Sequence, residues 1–314
     1  MKKLVVLLLA LAIVLPCTAA LMPTAAEADS MYIIPHSAGA NARELTYEEV
    51  WGYQYDTLLY AFNEIYARHG YKFETGSRCY NWFTRMPWYK PNASESSTNH
   101  HETYSQCSKI ENHNVDLIKA VRKEMRALGT TNPGGKGMPT PPAEVENRPR
   151  GFNYVQLDGN QKFAVYSAPS TDAYRAANGK ATVSTNGPVY ALGQDRGWML
   201  MMYDANHTGQ YRVGYVEISK IKGQKPALDL LSWDGSSCQV MVSTTLTDDP
   251  AKTGRAMAQL PAGTRVTYLT TMYNVTAWDY VETTVEGKVA RGFVPSGTLS
   301  ITGEDITEKD GGEG

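Results

Sequence analysis

The sequence predicts a multidomain α plus all-β protein, a small helical N-terminal module followed by two small β-barrels. Three observations carry that expectation. Apolar residues recur at intervals of three and four in the first half of the chain, the spacing of helices with one buried face. In the second half they tend to alternate between Gly, Asn and Asp turns. Between the halves, residues 129–150 hold five Pro and four Gly with almost nothing apolar to bury, which is linker composition.

The chain opens on a processing signal. Lys2 and Lys3 precede an unbroken apolar run from Leu4 to Leu15, and small residues follow up to Ala26-Glu27-Ala28, a fitting cleavage site. Residues 1–28 are therefore expected to be a signal peptide, and no later segment is expected to span a bilayer. Cys17 offers lipid attachment as an alternative, although Pro16 directly before it suits such a site poorly. The expected destination is secretion or the cell envelope. The acidic, Gly-rich residues 303–314 are expected to be a disordered tail.

Composition narrows the partners. The 314 residues carry a formal charge of -2 with no basic block, so the electrostatic footprint of nucleic-acid binding is missing. Twenty Tyr against 6 Phe and 6 Trp favour rings with a polar end at partly wet surfaces, a weak sign of binding faces.

Residues 45–128 read as the helical module. Thr46-Tyr47-Glu48-Glu49 has capping-box spacing and starts a helix. Leu58, Leu59, Phe62, Ile65 and Tyr66 then form a stripe that Gly70 ends as a left-handed cap. Glu64 stands four residues before Arg68, the favourable order for an ion pair, and His69 is placed to cap terminal carbonyls. A second capping box, Ser108-Lys109-Ile110-Glu111, opens a helix with a stripe of Ile110, Ile118, Val121, Met125 and Leu128. Trp82, Phe83, Trp88 and Tyr89 are fillers between the two. In an exported chain Cys79 and Cys107, which share this module, are natural disulfide partners. Closing that loop would add roughly 3 kcal/mol. Cys238, a domain away, is read as a buried thiol.

The run Asn63-Glu64-Ile65-Tyr66-Ala67-Arg68-His69-Gly70, followed by Tyr71-Lys72-Phe73, Trp88-Tyr89-Lys90-Pro91 and Ile110-Glu111-Asn112-His113-Asn114-Val115, resembles the YARHG domain of secreted and cell-envelope bacterial proteins. The signature Tyr66, Ala67, Arg68, His69 and Gly70 is intact, while Phe62 stands where the family usually has Arg. The resemblance implies a small, mainly helical extracellular module with no established chemistry.

After the linker the chain repeats loosely. Phe163-Ala164-Val165-Tyr166, Gly197-Trp198 and Arg212-Val213-Gly214-Tyr215-Val216 are echoed by Val240-Met241-Val242, Trp278-Asp279-Tyr280 and Arg291-Gly292-Phe293-Val294. Both copies, residues 151–222 and 236–302, resemble bacterial SH3-like domains, the kind found in tandem on wall-associated proteins. The second departs further, with an unusual loop at Asp248 to Gly254 and no Gly before Trp278.

No catalytic constellation emerges. The chain has no GxSxG and no phosphate-binding Gly loop. His100, His101 and His113 offer imidazoles in a polar loop without an evident carboxylate ligand, so no metal or cofactor site is expected. Tyr166, Trp198, Tyr203, Trp278 and Tyr280 are the candidate ligand-binding rings, because an exposed ring row in a barrel groove serves peptide or sugar binding, with burial in the small barrel core the equal alternative for Trp198 and Trp278. Tyr215 and Phe293 are read as core. The function expected is non-catalytic binding of peptidoglycan or another envelope polymer. Two alternatives stand beside it. One is a cell-wall hydrolase with an unrecognised site in the helical module, where Cys79 would be the only plausible nucleophile. The other is an extracellular adaptor that binds an envelope protein.

Overall fold

The computed structural model describes residues 31–92, 100–140, 151–204, 210–250, 256–274 and 276–300, with residues 100–102 in backbone only. The expected signal peptide with Cys17, residues 141–150 of the expected linker, the side chains of His100 and His101 and the expected tail lie outside the described residues.

The helical region comes first. Helix α1 (Tyr47–Trp51) has the expected capping box, with the Glu49 amide donating to Thr46 Oγ1 and the Thr46 amide to the Glu49 carboxylate. The chain breaks at Gly52 and resumes as α2 (Tyr55–Arg68), so the capped start and the apolar stripe belong to two helices. At the end of α2 the Gly70 amide donates to Ala67 O and the Tyr71 amide to Tyr66 O, the paired bonds of a Schellman cap. Gly70 supplies the left-handed residue that this cap needs, at φ +83°.

Short helices α3 (Arg78–Phe83) and α4 (His100–Gln106) lead to the long α5 (Lys109–Ala127), whose Ser108 and Glu111 form the second capping box. Its buried face carries Val115, Ile118, Val121 and Met125, but Ile110 and Leu128 are exposed, contrary to the expected stripe. At 100° per residue both fall about 80° to one side of Ile118, at the edge of the contact face. Glu111, Asn114 and Arg122 take the central positions instead.

The expected disulfide is not formed. Cys79 and Cys107 are both buried thiols, as is Cys238. The Cys107 thiol donates to the carbonyl of Thr103 at 3.4 Å, one turn back along α4, while Cys79 lies on α3 in the apolar core. Sharing a module in sequence did not bring the two sulfurs into bonding geometry.

The β region contains two units. In the first, β1 (Asn153–Tyr154) is followed by a separate hairpin, β2 (Lys162–Ala164) with β3 (Thr182–Ser184). Then come β4 (Val189–Asp195), β5 (Trp198–Asp204) and β6 (Tyr211–Glu217), giving an antiparallel sheet in the order β1-β4-β5-β6. The second unit is a seven-stranded antiparallel sheet. Its strands are β7 (Ser236–Val240), β8 (Thr244–Thr247), β9 (Ala256–Leu260), β10 (Arg265–Asn274), β11 (Thr276–Val285), β12 (Lys288–Pro295) and β13 (Leu299–Ser300), ordered β13-β7-β10-β11-β12-β8-β9. Neither order closes on itself among the described residues, so the expected barrels are found as open sheets.

The loose repeat has a structural meaning. A Cβ on Gly214 would lie 2.5 Å from Val165 Cγ1 and 3.1 Å from Tyr166 O, and one on Gly292 would lie 2.7 Å from Thr247 O. In each unit the glycine lets another chain segment cross closely over its strand. The next residue, Tyr215 or Phe293, pairs with that segment and is fully buried.

The three regions share their cores. Trp198, Leu200, Met202, Val213 and Tyr215 of the first unit meet Leu269, Met272, Trp278, Tyr280 and Phe293 of the second in one apolar cluster. The opposite face of β5, with Met199, Met201 and Tyr203, fills the first unit's own core. On the helical side, Tyr273 joins the helical core, its hydroxyl donating to Tyr60 Oη at 3.0 Å and its ring 5.0 Å from that of Trp82. Asn81 Nδ2 donates to Thr270 Oγ1 and Thr271 O, both at 3.0 Å.

The first part of the expected linker is also docked. The Gln54 amide donates to Lys136 O and the Tyr55 amide to Thr131 O, while Asn132 Nδ2 donates to Trp51 O and Tyr53 O. Pro and Gly deny this stretch a helix or strand, but not backbone hydrogen bonds to its neighbour.

At the join of the β units, Arg291 Nη1 donates to Asp195 Oδ2 and to the Tyr215 hydroxyl, each at 2.7 Å, and Arg291 Nε donates to Glu282 Oε2 at 2.8 Å. Trp233, between the units in sequence, donates Nε1 to the same Asp195 oxygen at 2.9 Å.

The two crossing glycines give a direct expectation. Gly214→Ala and Gly292→Ala should each destabilise the protein by about 1–3 kcal/mol through overpacking. Gly134→Ala, with nothing within 4 Å of the added carbon, should change stability by less than about 0.5 kcal/mol in the same urea titration.

Candidate functional site

Four of the five candidate rings are not where a ligand could stack on them. Trp198, Trp278 and Tyr280 are buried in the cluster between the β units, and Tyr203 is 9% exposed against the first unit's core. Two sheets packed face to face bury the rings that one isolated barrel would have displayed, so the expected exposed row does not form. Tyr166 is the exception. It is half-buried, edge-on to Trp198 at 5.3 Å, with the Arg175 guanidinium 4.8 Å above its ring.

Two open clefts flank the hairpin of β2 and β3, and Lys162 lines both. One, of about 620 Å³, runs past Phe163, Tyr166, Glu217, Lys220 and Lys222. The other, of about 510 Å³, is bounded by Lys180, Tyr203, Asp204, Arg212 and Asp248. Its floor is a salt bridge between units, Arg212 Nη1 to Asp248 Oδ1 at 2.5 Å. Burial pushes the Asp248 carboxyl up, with Arg212 opposing, and pushes the Tyr203 hydroxyl up to about 12. The linings mix the ammonium groups of Lys162, Lys180, Lys220 and Lys222 and the Arg212 guanidinium with the carboxylates of Asp158, Asp204, Glu217 and Asp248 over partly apolar walls, leaving a small excess of positive charge in each cleft. Sequence reasoning missed these lysines, because Lys162, Lys180, Lys220 and Lys222 are scattered in the chain and only the fold gathers them.

The second concentration of polar groups surrounds the Tyr66 to Gly70 motif, and each residue there has a task. Tyr66 and Ala67 are buried in the helical core, and Gly70 makes the cap. Arg68 pairs with Glu64 as expected, Nη2 to Oε1 at 2.5 Å, and Arg68 Nη1 donates to Pro35 O and Ala38 O. Its guanidinium lies 3.7 Å from the Tyr32 ring centre. Glu64 is fully buried and also accepts from the Ile33 amide at 2.8 Å. Burial pushes its carboxyl up, while Arg68 and that amide pull it back. The pair therefore ties the segment around residues 33–38 onto α2.

His69 departs from expectation. Its Nε2 lies 3.2 Å from Glu111 Oε1, not over the helix carbonyls. Glu111 also accepts from the Gly39 amide at 3.0 Å and from the Ser108 amide at 2.7 Å. Burial works against its ionisation, but those amides, the Ser108 hydroxyl and His69 hold it below the usual carboxylate range. Cys107 completes the group: the ligating atoms of His69, Cys107 and Glu111 all lie within 4.8 Å of one another. Burial, then the Glu111 charge, pushes the Cys107 thiol up to about 12. A thiol so reluctant to ionise, donating to Thr103 O, is not set up as a nucleophile. The cysteine beside His69 is thus Cys107, whereas sequence proximity pointed to Cys79. His113 is exposed on α5, apart from this group.

Two outcomes are expected here. Arg68→Ala should cost about 3–5 kcal/mol in urea unfolding, since it leaves the buried Glu64 charge uncompensated. Cys79, Cys107 and Cys238 should react with a thiol reagent in the native protein far more slowly than after denaturation, by mass spectrometric counting of labelled cysteines. Burial raises the Cys238 thiol as well, to about 11.

Among the described residues no helix is long and apolar enough to cross a membrane. No curated protein matches the sequence. The solved structures that align with part of the chain include two NlpC proteins. NlpC2 from Trichomonas vaginalis is 12% identical over 46% of this chain and 46% of its own, with a TM-score of 0.18. NlpC1 from the same organism is 15% identical over 48% of this chain and 49% of its own, with a TM-score of 0.19. Each alignment spans less than half of either chain, and neither score amounts to a shared fold. The helical region is assigned by its sequence: residues 30–123 match the YARHG domain.

Proposed function

We propose that this is an exported, non-catalytic cell-envelope protein whose first β unit binds peptidoglycan, through its peptide part, or another carboxylate-bearing envelope polymer. The observation that carries the reading is the pair of clefts meeting at Lys162, bordered by Lys180, Lys220, Lys222 and the half-buried Tyr166. Ammonium groups on both sides of one hairpin suit a long polymer better than a compact metabolite, which would use a single enclosed pocket. The YARHG domain and the expected signal peptide support an extracytoplasmic setting. The shared core between the β units argues for one rigid binding surface rather than two independent sites joined by avidity.

Co-sedimentation of the full exported chain with purified wall sacculi tests this reading. Tyr166→Ala should weaken binding by about 1–2 kcal/mol without lowering the melting temperature much, because the ring is partly exposed. Lys162→Glu should weaken it further at low salt, and added salt should narrow the difference. Tyr203→Ala should lower stability first, by about 3–5 kcal/mol as an upper range for loss of a large core ring. Sacculi left unbound by the wild-type chain would overturn the proposal, and retention of an envelope protein instead would favour the adaptor.

A further inference from the structure

We propose that His69, Cys107 and Glu111 form a binding site for a divalent, sulfur-tolerant metal ion, zinc by its chemistry. The three residues bring one nitrogen, one sulfur and one oxygen ligand, the donor types that zinc accepts with three protein groups and an open fourth position. Tetrahedral zinc bond lengths put ligand atoms about 3.3–3.7 Å apart. His69 Nε2 and Glu111 Oε1 are already 3.2 Å apart, and all three ligating atoms lie within 4.8 Å, so small side-chain rotations complete the set.

Local structure holds these groups in place. His69 is fixed at the end of α2 by the Schellman cap, and Glu111 by the capping box of α5. Cys107 directly precedes Ser108, the cap residue of the same helix. The Gly39 and Ser108 amides, which donate to the Glu111 carboxylate, would hold it in one orientation toward the ion. Cys107 and Glu111 are almost wholly buried, while the His69 side chain is 26% exposed and leaves an entry path. Ion entry releases the Cys107 thiol proton to solvent. It also replaces the His69 to Glu111 ion pair: the imidazole ligates through Nε2, gives up any proton there to solvent and carries its one remaining proton on Nδ1. The ion would then join the 33–39 segment, the end of α2 and the start of α5 at a single point.

The probe is cobalt, followed by zinc, added to the full exported chain after reduction and chelator treatment. One Co²⁺ per chain is expected, with a sulfur-to-cobalt charge-transfer band in the near ultraviolet and four-coordinate bands in the visible, all abolished by zinc. Cys107→Ser should remove the near-ultraviolet band, and His69→Ala or Glu111→Gln should weaken cobalt binding about tenfold or more. Cys238→Ser should leave the spectrum unchanged. Protection of Cys107 from alkylation by zinc in the wild-type chain provides a readout that needs no variant to fold. The proposal is overturned if no charge-transfer band forms in reduced folded protein, if the band survives Cys107→Ser, or if Cys107 is disulfide-bonded to Cys79 in the exported chain.

Discussion

The buried pairing of Arg291 with Asp195 is the constraint around which the β region is organised. The Arg291 side chain is 4% exposed and that of Asp195 10%. Charges at that depth are tolerated only when their hydrogen-bonding capacity is met. Arg291 divides its donors among Asp195, Tyr215 and Glu282, and Asp195 also accepts from Trp233 and Arg196. Burial opposes ionisation of Asp195, yet these donors keep its carboxyl below the usual range. One network thus reads both β units and the stretch between them, and fixes how the sheets meet. The apolar cluster of Trp198, Tyr215, Tyr280 and Phe293 lies beside it and contributes the area that a polar network alone lacks.

From that meeting follows the rest. The stretch after the first unit is pulled across β4, where the Gln194 amide donates to Asp229 O and the Leu231 amide to Gln194 O. Its continuation reaches the helical region, with the Ser232 amide donating to Thr75 O, and then β10, with the Asp234 amide donating to Leu269 O. Helix α3 then seats on β10 through Asn81 and Trp82. With the inner faces of both β units consumed in this way, open clefts are left around the hairpin of β2 and β3. The clefts are therefore a product of the assembly as much as of the first unit.

Much of this was legible in the sequence, wherever one residue's local chemistry decides the outcome. Both capping boxes, the Gly70 cap, the Glu64 to Arg68 pair and the burial of Tyr215 and Phe293 were read from spacing alone. What failed were inferences about which surfaces meet. Trp198, Tyr203, Trp278 and Tyr280 are candidates for a ring row in a barrel groove, and all four are buried. Strand β5, Trp-Met-Leu-Met-Met-Tyr-Asp, has no polar alternation, and such a strand is buried on both faces. That was the available signal for a shared core. Cys79 was matched to Cys107 and set beside His69 by sequence distance. The fold instead places the end of α2 against the start of α5, which no periodicity encodes. The lysines around the clefts carried no sequence signal, being single charges in separate turns.

Held at the Arg291 junction, the helical region and both β units are expected to unfold as one cooperative body. Urea unfolding of Arg291→Met, followed at once by helical circular dichroism and by tryptophan fluorescence, tests this most directly. One transition is expected in each signal, coincident in the wild type and shifted together to lower urea in the variant. The expected loss is about 3 kcal/mol or more, because Asp195 keeps its burial without its main partner. A helical transition that stays in place while the fluorescence transition moves would contradict it, and would return the chain to independent domains on a linker.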